Sequence, residues 1–168
     1  MNPKLEPIFA RRSIRQYRDE PIAEVTIQSL LDAGMAAPSA RNLRPWHMVT
    51  VTGRSTLLAL AQAHPYGKMT AQAAAAIVVC GDRKASPRYW VQDCSAATEN
   101  ILIAAAVLGL GAVWLGCHPN QDREEAIRAV LDIPDEIGVL SVIPIGWPAE
   151  ERPPRTQYHP SQDHRERW

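Results

Sequence analysis

Hydrophobic positions along the chain change their spacing several times, and each change predicts an element. After Pro21, Ile27, Leu30, Leu31 and Met35 recur at helical spacing, so residues 22–36 are expected to form an amphipathic helix that Pro38 stops. Residues 46–51 predict a strand, and residues 55–64 a helix with Ser55 as its N-cap. A second strand is expected over residues 76–80, ending at Gly81 and Asp82. Residues 87–108 read as a long helix whose later half is apolar almost all round, the pattern of a central core helix. Gly109 and Gly111 suit the end of that helix and the start of a third strand over 112–117. A helix over 122–131 and a fourth strand over 139–145 follow, and Pro144 implies an edge or a bulge in that strand.

Helices and strands are intermixed, with no internal repeat and no linker, so residues 1–168 are read as a single α+β domain with one sheet and a buried helix. Residues 149–168 are polar, rich in proline and without periodicity. Such a tail is too long and too polar to close a compact monomer, and it is expected to cross to a partner subunit.

Composition narrows the partners. The 168 residues fit one domain, and 18 basic residues balance 18 acidic ones. A net charge of zero supplies no broad field to recruit nucleic acid or an anionic membrane. The apolar run 101–117 falls just short of the ~18 residues that suggest a membrane span, and its glycines favour a buried helix–turn–strand. Three cysteines without a CxxC spacing suggest neither a disulfide framework nor a zinc ribbon. The N-terminal residues 1–13 contain no apolar signal core, so a cytoplasmic location is expected.

Two segments concentrate groups able to bind a ligand. Arg11, Arg12, Ser13 and Arg15 set three guanidinium groups and a hydroxyl within five residues, and guanidinium forks match phosphate oxygens. Pro38, Ser39, Ala40, Arg41 and Asn42, continued by Arg44, Pro45 and Trp46, offer a hydroxyl, an amide and two cations on a loop stiffened by prolines. Taken singly, the first segment reads better as an exposed basic patch, and the second as a helix C-terminal loop leading into a strand with Trp46 as a core anchor.

Elsewhere the chemistry is sparse. Gly109 and Gly111 do not begin a dinucleotide fingerprint, because the third glycine position is Trp114 and the glycines follow a helix. They mark a tight turn, with Gly116 allowing close backbone approach to something flat. Ser13, Ser39 and Ser141 lack the nucleophile-elbow context. The five histidines make no helical metal pair, and His118 beside Cys117 reads as an ordinary loop position. Asp93 and Glu99 on the long helix are expected to be solvated or interfacial. No catalytic side chain and no metal ligand is assigned, which suits a protein that leaves the difficult step to a redox cofactor.

Taken in order, these segments resemble the nitroreductase family of flavoproteins. The resemblance rests on residues 11–15, on Pro38 to Asn42 with Pro45 and Trp46, and on Glu99, Asn100, Ala104, Ala105, Gly109, Gly111, Trp114, Leu115 and Gly116. Ile145, Gly146, Trp147 and Pro148, followed by Arg155, complete it, so that it spans nearly the whole chain. The resemblance implies a mixed four- to five-stranded sheet around a central helix, and an intertwined homodimer with FMN at the subunit interface. It implies that Arg11 and Arg155 hold the FMN phosphate, that Arg12 belongs to the same cofactor site, and that Ser13 and Arg15 reach the ribityl chain and the pyrimidine side of the ring. Pro38, Ser39, Ala40, Arg41 and Asn42 would arrive from the other subunit, and Trp114, Leu115 and Gly116 would pass under the ring with the Gly116 N–H toward N5. A fixed cation such as Arg15 favours the negative charge of a reduced flavin. The implied activity is hydride transfer from NADH or NADPH through FMN to a small oxidised acceptor (a nitroaromatic, quinone or enone) by a ping-pong route. The competing expectations are another redox reaction on the same fold (dehalogenation, dehydrogenation or flavin breakdown) and a flavin carrier or sensor that never turns over.

Overall fold

The computed structural model describes residues 2–168. Among these residues five α-helices occur, α1 (Glu6–Ala10), α2 (Glu24–Met35), α3 (Arg54–Ala63), α4 (Trp90–Val107) and α5 (Gln121–Leu131), with strands β1 (Trp46–Val51), β2 (Ala75–Asp82), β3 (Gly111–Ala112), β4 (Leu115–Gly116) and β5 (Ile137–Gly146). The sheet order is β1-β2-β5-β3, with β4 also pairing β5. All four strand pairings are antiparallel, and the parallel component is confined to one bridge between Ser13 and Ala112.

Both faces of the sheet are covered, which is why β2 and β5 read as apolar runs rather than alternating ones. Ile77, Val79, Ile143 and Ile145 face Leu30 of α2 and Cys94, Ala97, Ile101 and Ala105 of α4. Their alternates Ala76, Val78, Cys80, Val139 and Val142 face Leu57 and Leu60 of α3 and Ile127 of α5. The helix expected to be central is so: Cys94, Ala97, Ile101 and Ala105 are all fully buried. Two polar ties fix it: Thr98 Oγ1 lies 3.2 Å from Ser141 Oγ on β5, and Asn100 Nδ2 donates to Ala33 O on α2 at 3.0 Å.

Several local expectations are corrected. Gly53, not Ser55, is the N-cap of α3: its carbonyl accepts from Leu57 N at 2.9 Å, which places Ser55 in the first turn. The long helix starts at Trp90 because Asp82 Oδ1 accepts from the N–H groups of Lys84 and Ala85 and bends the chain first. The strand expected over 112–117 is split, with Val113 and Trp114 unpaired between β3 and β4. Pro144 lies in a central strand rather than at an edge. Its carbonyl accepts from the Tyr17 hydroxyl at 3.1 Å. In a strand the N and C=O of one residue share a side, so the missing N–H faces the break at Val113 and Trp114. The register shift in β5 comes elsewhere, at Leu140, opposite Val79 and Cys80.

Gly81 and Gly138 face each other across β2 and β5, and the Trp90 indole lies over the pair. A Cβ on Gly81 would sit 2.6 Å from Trp90 Cε3, and one on Gly138 2.6 Å from Trp90 Cη2. His118 meets the ring edge-on at 4.7 Å, and the Arg83 guanidinium stands 5.5 Å from its centroid, so the ring has little room to retreat. Gly138→Ala is therefore expected to destabilise the fold by about 1–3 kcal/mol through overpacking. A urea denaturation midpoint equal to that of the wild type would contradict this packing.

Candidate functional site

Residues 11–17 run extended beside β3, with Ile14 N donating to Ala112 O at 3.0 Å. The buried Tyr17 ties this segment to β5 by donating to Ile14 O at 2.8 Å as well as to Pro144 O, and burial raises its phenol above the usual range. Extended backbone sends alternate side chains to opposite sides. Arg12 and Ile14 accordingly line a small cavity of about 200 Å³, while Arg15 lines a cleft of about 580 Å³.

Trp114, Leu115 and Gly116 form one wall of that cleft, and His64, Pro65, Tyr66, Lys68, Met69 and Arg123 form the rest with Arg15. Gly116 leaves the wall open, since a Cβ there would meet nothing nearer than Trp114 Nε1 at 3.9 Å. Its carbonyl accepts from Arg123 Nη1 at 3.2 Å and contacts His64 Nε2 at 3.0 Å. The next residue turns the other way, with Cys117 N donating to Leu140 O on β5 at 2.9 Å. Strand alternation therefore puts the Gly116 N–H on the same side as its carbonyl, away from β5. The cleft carries three cations, Arg15, Lys68 and Arg123, and among the described residues no carboxylate lines it.

At the other end of the 11–15 segment, guanidinium groups gather. Desolvation, then the nearby Arg155, Arg152 and Arg11, hold the Arg12 guanidinium below its ordinary pKa. Arg12 donates to Pro153 O, yet its buried Nε has no partner. Two carboxylates answer the four cations. Glu99 Oε1 lies 3.2 Å from Arg11 Nε, and Glu150 pairs with Arg152 Nη2 at 2.6 Å while accepting from Arg15 N at 2.6 Å. The cluster thus keeps an excess of positive charge.

The loop of residues 38–42 lies elsewhere on the subunit and contributes nothing to the cleft lining. Asp93 anchors it by accepting from Ala40 N at 2.9 Å and from Ser86 Oγ at 3.1 Å. Asp93 is therefore buried and structural rather than solvated. Arg41, Asn42 and Arg44 all have left-handed φ, at 55°, 56° and 48°, and Ser39 Oγ accepts from Arg44 N at 2.9 Å. Non-glycine residues rarely hold such angles, and strain of this kind gathers at ligand clamps.

The remaining reactive groups are committed to structure. Burial pushes the Cys80, Cys94 and Cys117 thiols up to about 12. His118 Nδ1 lies 2.7 Å from Glu124 Oε1, and Glu124 also accepts from Arg83 and from Val139 N. Among the described residues no group of three or more His, Cys, Asp or Glu is placed to hold a metal, and no helix is long and apolar enough to cross a membrane.

Sequence reasoning found Arg15, Trp114, Leu115 and Gly116 in the cleft but missed His64, Tyr66, Lys68, Met69 and Arg123. The available signal was the polar loop 64–68 between a helix and a strand. Its contact with Gly116 spans 52 residues and leaves no local trace.

Comparison with known proteins finds relatives along nearly the whole chain. Residues 8–80 and 57–147 match the Nitroreductase family. A Methanothermobacter thermautotrophicus protein with the provisional name NADH dehydrogenase/NAD(P)H nitroreductase is 48% identical over 98% of this chain and 87% of its own length. The crystal structure of a Parabacteroides distasonis protein with the same provisional name is 44% identical, covers 100% of both chains and superposes with a TM-score of 0.96. A Desulfovibrio desulfuricans structure, provisionally named a nitroreductase and solved in complex with FMN, is 30% identical over 96% of this chain and 95% of its own, with a TM-score of 0.83. The family match over most of the chain, with relatives this similar along nearly its whole length, shows that the chain belongs to the nitroreductase family.

Proposed function

We propose that the protein is an FMN-dependent oxidoreductase that passes hydride from NADH or NADPH to a small oxidised acceptor, a nitroaromatic, quinone or enone, and works as a homodimer. One observation carries the reading: a single extended segment joins an excess of guanidinium charge at one end to an open, glycine-edged cleft at the other. The residues fit FMN. A phosphate monoester carries about −1.5 to −2 charge near neutral pH, matched by the under-neutralised cluster, and the buried Arg12 Nε lacks an acceptor.

FMN, when bound, supplies the two-electron chemistry of hydride transfer. Arg11 and Arg155 would hold the phosphate, with Arg12 reinforcing their charge. Ser13 and Arg15 would bind the ribityl chain and the pyrimidine side, and Arg15 would set fixed positive charge there. Trp114, Leu115 and Gly116 would close one face of the ring and present the Gly116 N–H. Pro38, Ser39, Ala40, Arg41 and Asn42 would be supplied by the partner subunit, consistent with their absence from the cleft of their own subunit. The tail supports a dimer: residues 151–168 are exposed throughout, and among the described residues the only ties of their backbone to the body are Arg155 N, at 3.1 Å from Phe9 O, and Pro153 O, which accepts from Arg12.

Three outcomes are expected. Arg11→Ala or Arg155→Ala should each weaken FMN binding by ~1.5–3 kcal/mol, the worth of a charge-assisted hydrogen bond. Release of FAD rather than FMN, or a purified protein that takes up no flavin, would end the reading. Deleting residues after Glu150 should lower both dimer stability and FMN retention, because ligand and partner bind the same folded state. A folded monomer with undiminished FMN affinity would count against the dimer. Donor and acceptor should use one open face in turn, so double-reciprocal rate plots should be parallel. His47 and His118 lie outside the cleft lining, so replacing either should leave the rate of anaerobic bleaching by NADH or NADPH within about tenfold. A loss of several orders of magnitude with FMN still bound would reveal a dedicated proton donor.

A further inference from the structure

His64 is 3% exposed, and both of its ring nitrogens are engaged. Tyr66 N donates to Nδ1 at 3.2 Å, so Nδ1 is an acceptor and the proton sits on Nε2. Nε2 therefore donates to Gly116 O at 3.0 Å. Desolvation and the nearby Arg123 hold His64 below its ordinary pKa, against the opposing effect of the Gly116 bond, in keeping with this neutral form. A histidine so engaged has no proton to lend and no free lone pair, although it lines the cleft.

The bonds it makes converge on one peptide. Gly116 O takes a second donor, Arg123 Nη1 at 3.2 Å, and Arg123 is steadied by the Tyr66 ring, 5.3 Å from its guanidinium. The other end of the Gly116–Cys117 peptide is tied down by Cys117 N on Leu140 O. Three elements, the end of α3, the start of α5 and β5, thus fix a plane that glycine alone would leave free. β4 has only two residues, so the ladder itself gives little support.

We propose that His64, assisted by Arg123, is a positioning residue that locks the Gly116 peptide so that the neighbouring Gly116 N–H faces the flavin ring. The proposal rests on the FMN reading for its ligand, while the lock belongs to the chain itself. It assigns His64 no proton transfer and no contact with the acceptor.

The test uses ¹⁵N-labelled full-length wild type, His64→Ala, His64→Gln and Arg123→Ala, with FMN titrations and visible spectra of the same samples. His64→Ala should displace the Gly116 and Cys117 amide signals and speed Cys117 amide exchange. It should also weaken FMN binding by about tenfold, the effect of one lost hydrogen bond, and shift the bound-flavin absorption band. His64→Gln keeps a donor near the Nε2 position and should restore the amide signals, the affinity and the band. Should His64→Ala not fold, Arg123→Ala should give the same displacements in smaller measure. Unmoved Gly116 and Cys117 amides in the folded variants would overturn the proposal. So would weaker FMN binding with those amides in place, or a failure of His64→Gln to rescue. A wild type that takes up no FMN would count against the FMN reading, and with it the flavin as the target of the N–H, while the amide signals would still decide whether the lock exists.

Discussion

The pairing of β2 with β5 is the constraint on which the rest depends. Both strands are buried on both faces, so their backbone groups must be satisfied within the sheet. On its β2 side β5 is paired along almost its whole length, and β2 in turn carries the full length of β1. On its other side β5 receives only two-residue fragments, β3 and β4, separated where Pro144 has no proton to give. Gly116 lies on the outer fragment of that ladder, where strand alternation turns its backbone away from β5. The cleft lies along this incompletely extended edge of the sheet.

Buried carboxylates organise the loops around this frame. Glu124, 6% exposed, joins α5 to β5 through Val139 N and to the turn after β2 through Arg83. Asp93 fastens the strained 38–44 loop to the start of α4. Stripping water from such groups is costly unless hydrogen bonds replace it, and here each oxygen finds a donor. The loops they hold are thereby rigid without being part of the core, which suits segments that must present backbone and side chains in fixed positions.

Most of the fold was legible from periodicity because burial dictates it. The spacing of Ile27, Leu30 and Leu31 located α2, and the apolar runs located β1, β2, β5 and the central helix. What could not be read was set by distant partners. The strand over 112–117 is split by its relation to Pro144, and the start of α4 depends on Asp82 bending the chain first. The site was half legible for the same reason: Arg15 and Gly116 stand in compact local patterns, whereas His64 and Arg123 acquire meaning only through the Gly116 carbonyl. Asp93, expected to be solvated or interfacial, is instead buried, and nothing local reveals the Ala40 amide from which it accepts.

A wall made of backbone has a consequence for how such a protein diversifies. The groups that Gly116 offers the cleft are backbone groups, so most replacements at Gly116 itself leave them present, while His64 and Arg123 hold its carbonyl in place. Lys68 and Met69, which line the same cleft, contribute side chains that can change without touching that peptide. On the FMN reading proposed above, selection can then reshape the mouth of the cleft for one reactant after another while the backbone beneath stays in place. The division between an inherited floor and an editable rim allows one small scaffold to acquire new preferences by single replacements.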